Sequence, residues 1–151
     1  MIGGVIIDDE TKSREVLKFL LKELEKDVVI IGEANSVKSG VEIIEELNPQ
    51  VVFLDVEMLD GTGFNLLEEL SNVDFKLIFI TAYDSYAIQA FKYSAVDYIL
   101  KPIDTDELEN AVERAIQLIE DEISNDFQIK ALLNNITHDS KKQIAVSSAN
   151  K

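Results

Sequence analysis

Asp8, Asp9, Asp55, Thr81 and Lys101 each follow a short apolar run: Val5-Ile6-Ile7, Val51-Val52-Phe53-Leu54, Leu77-Ile78-Phe79-Ile80 and Val96 to Leu100. Three carboxylates brought together repel one another, and their pKa values rise unless a cation occupies the space between them. Mg²⁺ meets that need: it prefers oxygen ligands, keeps several waters and is held by one or two carboxylates with a phosphate oxygen. Asp8, Asp9 and Asp55 suit it. Asp55 could be a ligand only, or a nucleophile that forms an acyl phosphate once the incoming phosphoryl group is neutralised. Lys101 adds an ammonium and Thr81 a hydroxyl, and turn amides near Val56 to Met58 add further donors.

These side chains meet only if the runs that deliver them share one sheet. Four-residue runs such as Val51–Leu54, apolar throughout, read as strands buried on both faces. Between the runs lie segments of helical period. Val16, Phe19, Leu20 and Leu24 mark a helix from Lys12 to Lys26 with Thr11 at its N-cap; Val37, Val41, Ile44 and Leu47 mark a second, stopped at Asn48-Pro49. Phe64, Leu66, Leu67 and Leu70 form a third, and Ala87 to Phe91 a brief fourth. A second strand, Val28 to Ile31, is closed by Gly32. This alternation predicts an α/β fold with a doubly wound five-stranded parallel sheet and helices on both faces. In such sheets the carboxyl ends of the strands share one edge, where ligands bind.

Composition narrows the function. With 29 Asp plus Glu against 14 Lys plus Arg, the formal charge is −15, which disfavours direct contact with nucleic acid or anionic lipid. The 151 residues hold no cysteine, so disulfides and thiolate metal sites are excluded. No apolar run approaches the ~20 residues of a membrane span, and the amino terminus lacks a signal-peptide pattern. A cytoplasmic location without membrane contact is the expectation.

The chain resembles the receiver domain of a two-component response regulator, through Val5-Ile6-Ile7-Asp8-Asp9-Glu10, Val52-Phe53-Leu54-Asp55-Val56-Glu57-Met58, Ile80-Thr81-Ala82 and Asp97-Tyr98-Ile99-Leu100-Lys101-Pro102. The resemblance implies a flavodoxin-like strand order 2-1-3-4-5 and a phosphorylation switch that is not a conventional enzyme. It implies Asp55 as phosphoacceptor; Asp8, Asp9, Asp55 and the backbone carbonyl of Glu57 at a Mg²⁺ site; Thr81 and Lys101 on the phosphoryl group; Thr81 and Tyr98 as the switch pair; and a cis Lys101–Pro102 peptide. A sensor histidine kinase would be the donor, and phosphorylation would favour a homodimer through the fourth helix, fifth strand and last helix. Thr81-Ala82-Tyr83-Asp84 and Ala90-Phe91-Lys92-Tyr93-Ser94-Ala95-Val96-Asp97-Tyr98 are similar to receivers whose output is a LytTR-type DNA-binding domain, and Lys141 to Val146 resembles the first strand of such a domain. The expected organisation is a receiver over 2–121, a helical linker over 122–140 and the start of a truncated output domain over 141–151, DNA being reached only through that missing part.

Leu59 departs from the family pattern, which often has proline there, so the loop beyond Asp55 loses a fixed φ and is expected to be more mobile. Asp104 with Glu107 forms a capping-box pattern, and Leu108, Val112, Ala115, Ile119 and Ile123 continue a helical stripe that either breaks at Ser124-Asn125-Asp126 or runs on as an apolar seam through Phe127, Ile129 and Leu133. Taken singly the site residues have plainer readings. Asp8-Asp9 suits a helix start, Asp60-Gly61 a turn, Tyr98 strand packing and His138 a solvated tail. An aspartyl-phosphate phosphatase with Glu57 as general acid is disfavoured because no cap domain encloses a substrate, and a nucleotide-binding module because acids replace the Gly-rich loop. A phosphorylation-independent pseudo-receiver is the remaining alternative.

Overall fold

The computed structural model describes residues 1–140, with side chains of residues 1–136; the side chain of His138 and the predicted output-domain strand at 141–151 lie outside them. Among the described residues, seven strands and five helices follow in order: β1 (Ile2–Ile7), α1 (Thr11–Leu24), β2 (Val28–Ala34), α2 (Val37–Leu47), β3 (Val51–Leu54), β4 (Glu57–Met58), β5 (Gly61–Thr62), α3 (Gly63–Glu69), β6 (Lys76–Thr81), α4 (Ala87–Phe91), β7 (Asp97–Leu100) and α5 (Thr105–Ser140). Five strands form a parallel sheet in the order β2-β1-β3-β6-β7, which is 2-1-3-4-5 when only its own strands are counted. β4 and β5 make a separate antiparallel hairpin.

The expected apolar runs are the core of this sheet. Val51 to Leu54 are all 1% exposed or less, which explains why β3 shows no polar alternation. Val5, Ile7, Val52, Leu54, Leu77 and Phe79 pack with Val37, Ile44, Phe64, Leu66 and Leu67 of α2 and α3. α5 contributes the buried Leu108, Ala111, Val112 and Ala115.

Several boundaries differ from the reading of the sequence. β2 does not stop at Gly32 but continues to Ala34. The pairing with β1 shifts register between Gly4 and Val5, which opposes Val5 to Gly32 and leaves Ile31 as an extra residue. Gly32 lies close under α2: a Cβ there would lie 2.6 Å from Ile43 Cδ1 and 2.7 Å from Leu47 Cδ1, so those side-chain ends would have to shift. α1 begins at Thr11, with Glu10 in the N-cap position and making no side-chain cap bond.

The hairpin after Asp55 is also tied down. Asp60 caps α2 across 23 positions, its carboxylate accepting from Val37 N at 2.8 Å and Lys38 N at 3.2 Å. Thr62 and Asn65 complete a capping box on α3. Leu59 is 95% exposed at the hairpin tip, between these anchored residues. α5 does not break at Ser124-Asn125-Asp126. The chain divides into two compact units, Met1–Gln117 and the part from Leu118 on. In the second unit Ile123, Phe127, Ile129, Leu132 and Leu133 are more than half exposed.

Candidate functional site

The carboxyl edge of the parallel sheet gathers the residues singled out above. Asp8 follows β1, Asp55 follows β3, Thr81 ends β6 and Lys101 follows β7. Their order along the edge follows from pairing: Ile7 opposes Leu54, and Thr81 opposes Leu100. Asp55 is held in place by its own amide, which donates to the carbonyl of Ile7 at 2.9 Å. Its Oδ1 accepts from Val56 N at 2.7 Å. Gly63 lets the loop close over it: a Cβ at that position would stand 2.7 Å from the Asp55 carbonyl oxygen.

Asp8, Asp9 and Asp55 offer carboxylate oxygens that all lie within 4.8 Å of one another. Asp8 and Asp55 are buried and Asp9 is half-buried. Lys101 Nζ donates to Asp8 Oδ2 at 2.8 Å, to Asp55 Oδ2 at 3.1 Å and to Ser13 Oγ at 3.2 Å. Thr81 is fully buried; its hydroxyl oxygen accepts from Tyr83 N at 3.4 Å, and its side chain acts to lower the Asp55 pKa. The Lys101–Pro102 peptide is cis.

The electrostatics are those of a site short of positive charge. Burial raises the Asp55 pKa, and Asp8 adds to the rise, against the lowering effects of Lys101 and Thr81. Asp9 is raised by burial and by Asp8 and Glu10. For Lys101 burial acts downward, but Asp8 and Asp55 outweigh it and lift the ammonium above its usual range. The Lys101 ammonium thus pairs with two of the three gathered carboxylates, Asp8 and Asp55. A hard divalent cation fits this donor set, which is all oxygen, anionic and incompletely neutralised.

Tyr98 sits at the neighbouring strand position, its ring 5.9 Å from that of Phe79 and its hydroxyl donating to the carbonyl of Tyr83. The hydroxyl is therefore engaged at the loop after β6. A polar cavity of about 360 Å³ opens between Asp9, Asp55, Glu57, Tyr83 and Lys101. A second, largely apolar one of about 410 Å³ lies beneath Asp55 and Lys101, against Leu17, Leu20, Phe53 and Ile80. Sequence reasoning missed the hydrogen bond from Tyr86 Oη to Glu57 Oε2, 2.7 Å across 29 positions. No local pattern signals such a pair.

Residues 5–113 match the family model described as response regulator receiver domain. The chain is 38% identical over 133 residues to the sensory transduction protein LytT of Bacillus cereus, covering 86% of this chain and 53% of LytT. It is 39% identical over 118 residues to the transcriptional regulatory protein BtsR of Escherichia coli, covering 78% of this chain and 49% of BtsR. The chain spans about half the length of these curated relatives. Among solved structures, a response regulator receiver domain protein from Clostridium thermocellum superposes with a TM-score of 0.69 at 28% identity, over 80% of this chain and 98% of that one.

Proposed function

Because the chain belongs to the response regulator receiver domain family, we propose that it is a phosphorylation-driven switch in which Asp55 takes a phosphoryl group from a sensor histidine kinase. The observation that carries this reading is the Lys101 ammonium placed on both Asp8 and Asp55 within the acidic cluster. An Asp55 carboxylate oxygen attacks phosphorus while the bond from phosphorus to the donor breaks, leaving an acyl phosphate on Asp55. Lys101, the Thr81 hydroxyl and the amides after Asp55 stabilise the charge on the transferred oxygens. Asp8, Asp9, Asp55 and the carbonyl of Glu57 are the residues that would hold Mg²⁺, which when bound neutralises the carboxylates and the phosphoryl oxygens.

The phosphoryl group would draw on the Thr81 hydroxyl, and Tyr98 would follow by exchanging its bond to the Tyr83 carbonyl for an inward position. The affected surface is that of α4, β7 and the first turns of α5. It carries Ile88 at 80%, Phe91 at 84% and Leu100 at 41% exposure, and an apolar patch of this kind suits pairing with a second copy. Dimerisation would bring two output domains together for transcription control, DNA being reached through a segment other than this acidic one.

The test is the oligomeric state, by light scattering, with Mg²⁺ and with or without beryllofluoride as phosphoryl mimic. Wild type is expected to dimerise only with the mimic, and Thr81→Ala and Phe91→Glu to stay monomeric. Equal dimerisation in all three, with and without the mimic, would overturn the switch and favour a phosphorylation-independent interaction module.

A further inference from the structure

Glu57 lies two positions beyond Asp55 and lines the same polar cavity as Asp9, Asp55 and Lys101. Its backbone is fixed by pairing with Thr62 in the hairpin. The side chain is not part of the gathered carboxylates, which are those of Asp8, Asp9 and Asp55 among the described residues. Instead Glu57 Oε2 accepts a 2.7 Å hydrogen bond from the phenol of Tyr86. That phenol is itself held in place: the Tyr86 ring packs, tilted by 47°, at 5.9 Å from Phe64 and meets Tyr83 edge-on at 6.4 Å, and its carbonyl accepts from Ala90 N in the first turn of α4.

We propose that Tyr86 is a positioning residue that keeps the Glu57 carboxylate turned away from the cation and phosphoryl site. An ionised carboxylate only accepts hydrogen bonds, so without the Tyr86 hydroxyl Glu57 must find water or a cation. Lys101 lines the same cavity and, with whatever cation the three aspartates hold, offers positive charge there. Released, Glu57 becomes a further carboxylate at a site that already has one ammonium for three. Two effects of opposite sense follow: a bound cation gains a ligand or near neighbour and is held more tightly, while an incoming phosphoryl anion meets added negative charge and transfers more slowly. The bond also links the loop after Asp55 to the start of α4, so cation binding and the position of α4 are connected through it. This inference rests on Asp55 being the phosphoacceptor.

The experiment uses the full chain as wild type, Tyr86→Phe, Glu57→Gln and the double variant. Mg²⁺ affinity is read by isothermal titration calorimetry, and phosphorylation by acetyl phosphate at saturating Mg²⁺ by intact mass. Tyr86→Phe retains the ring that packs on Phe64 and removes only the donor. It is expected to tighten Mg²⁺ binding and to slow phosphorylation, each by about tenfold, the low end of the range for one hydrogen bond to a charged group. Introduced into Glu57→Gln, the same change is expected to alter neither quantity relative to Glu57→Gln alone, because there is no carboxylate to release. Tyr86→Phe without effect on either quantity overturns the proposal, as does the same change in both backgrounds, which would assign Tyr86 a packing role. Wild type that neither binds Mg²⁺ nor gains a phosphoryl group overturns the phosphoacceptor reading and this inference with it.

Discussion

Lys101 and Asp55, 46 positions apart in sequence, are joined by a 3.1 Å ion pair in which the same ammonium also reaches Asp8 at 2.8 Å. One cation from the end of β7 therefore serves carboxylates from the ends of β1 and β3. Lys101→Met leaves both without a counterion. The lysine side chain is 19% exposed, so the loss is expected below the ~3–5 kcal/mol of a fully buried pair, at about 1–3 kcal/mol. Denaturant unfolding without divalent cations checks this, and an unchanged midpoint would contradict it. Phosphorylation is expected to fall by about a hundredfold, the scale of losing one charge-stabilising donor.

The raised pKa values of Asp9 and Asp55 have a definite sign in stability. Both lie above the ordinary 3.8, so the folded protein binds more protons than the unfolded one through the range between the two values. Their contribution is fully present below 3.8 and is lost as pH rises through the raised folded values. At neutral pH, without divalent cation, Asp55→Asn is thus expected to melt at a higher temperature than wild type, about 2–4 °C for each kcal/mol relieved. Adding Mg²⁺ should reverse the order, since a ligand at a hundredfold excess over its Kd stabilises by about 2.7 kcal/mol. Thermal scans of both proteins, with and without Mg²⁺, check the crossing of the two curves.

Asp60 is expected to matter through α2 rather than through the site. Its carboxylate takes the free amides of Val37 and Lys38, and those bonds, Val37 first, hold its pKa below the ordinary range. The contribution is present above 3.8 and is lost as pH falls through the folded value. Asp60→Ala should therefore lower the melting temperature at pH 7 and lose that deficit in acid. Asp60→Asn, which keeps a side-chain oxygen, should recover part of it.

Gly63→Ala is expected to act on both stability and chemistry. The added Cβ would stand 2.7 Å from the Asp55 carbonyl oxygen, and 3.0 Å from Leu54 Cγ, so the backbone must move. Overpacking of this kind costs about 1–3 kcal/mol. Because the displaced group is the backbone of Asp55, phosphorylation by acetyl phosphate should slow while α2 and β2 keep their amide-exchange protection.

Much of this was legible in the sequence because the fold concentrates its signal. Strands buried on both faces leave uninterrupted apolar runs, and the side chain that ends each run marks the site edge, as with Asp55 and Thr81. What escaped the reading depended on partners distant in sequence. Gly32 looked like a terminator because its fit against Ile43 and Leu47 exists only once α2 packs on β2. Asp60 looked like a turn residue because the amides it caps are 23 positions away. Leu59 sits in a hairpin whose neighbouring residues bond to α2 through Asp60 and to α3 through Thr62 with Asn65, partners that the local sequence does not show. At Ser124-Asn125-Asp126 the sequence left a break and a continuous helix both open, and α5 is continuous there: a short stretch of poor helix propensity does not end a helix running on both sides of it.

The most direct test of the account is intact mass after incubation with acetyl phosphate, with and without Mg²⁺, for wild type and Asp55→Asn. A gain of one phosphoryl group is expected in wild type, dependent on Mg²⁺ and absent in Asp55→Asn. A folded wild type that binds Mg²⁺ yet gains nothing from either acetyl phosphate or a phosphorylated histidine kinase, or an Asp55→Asn variant that gains the same mass, would contradict it.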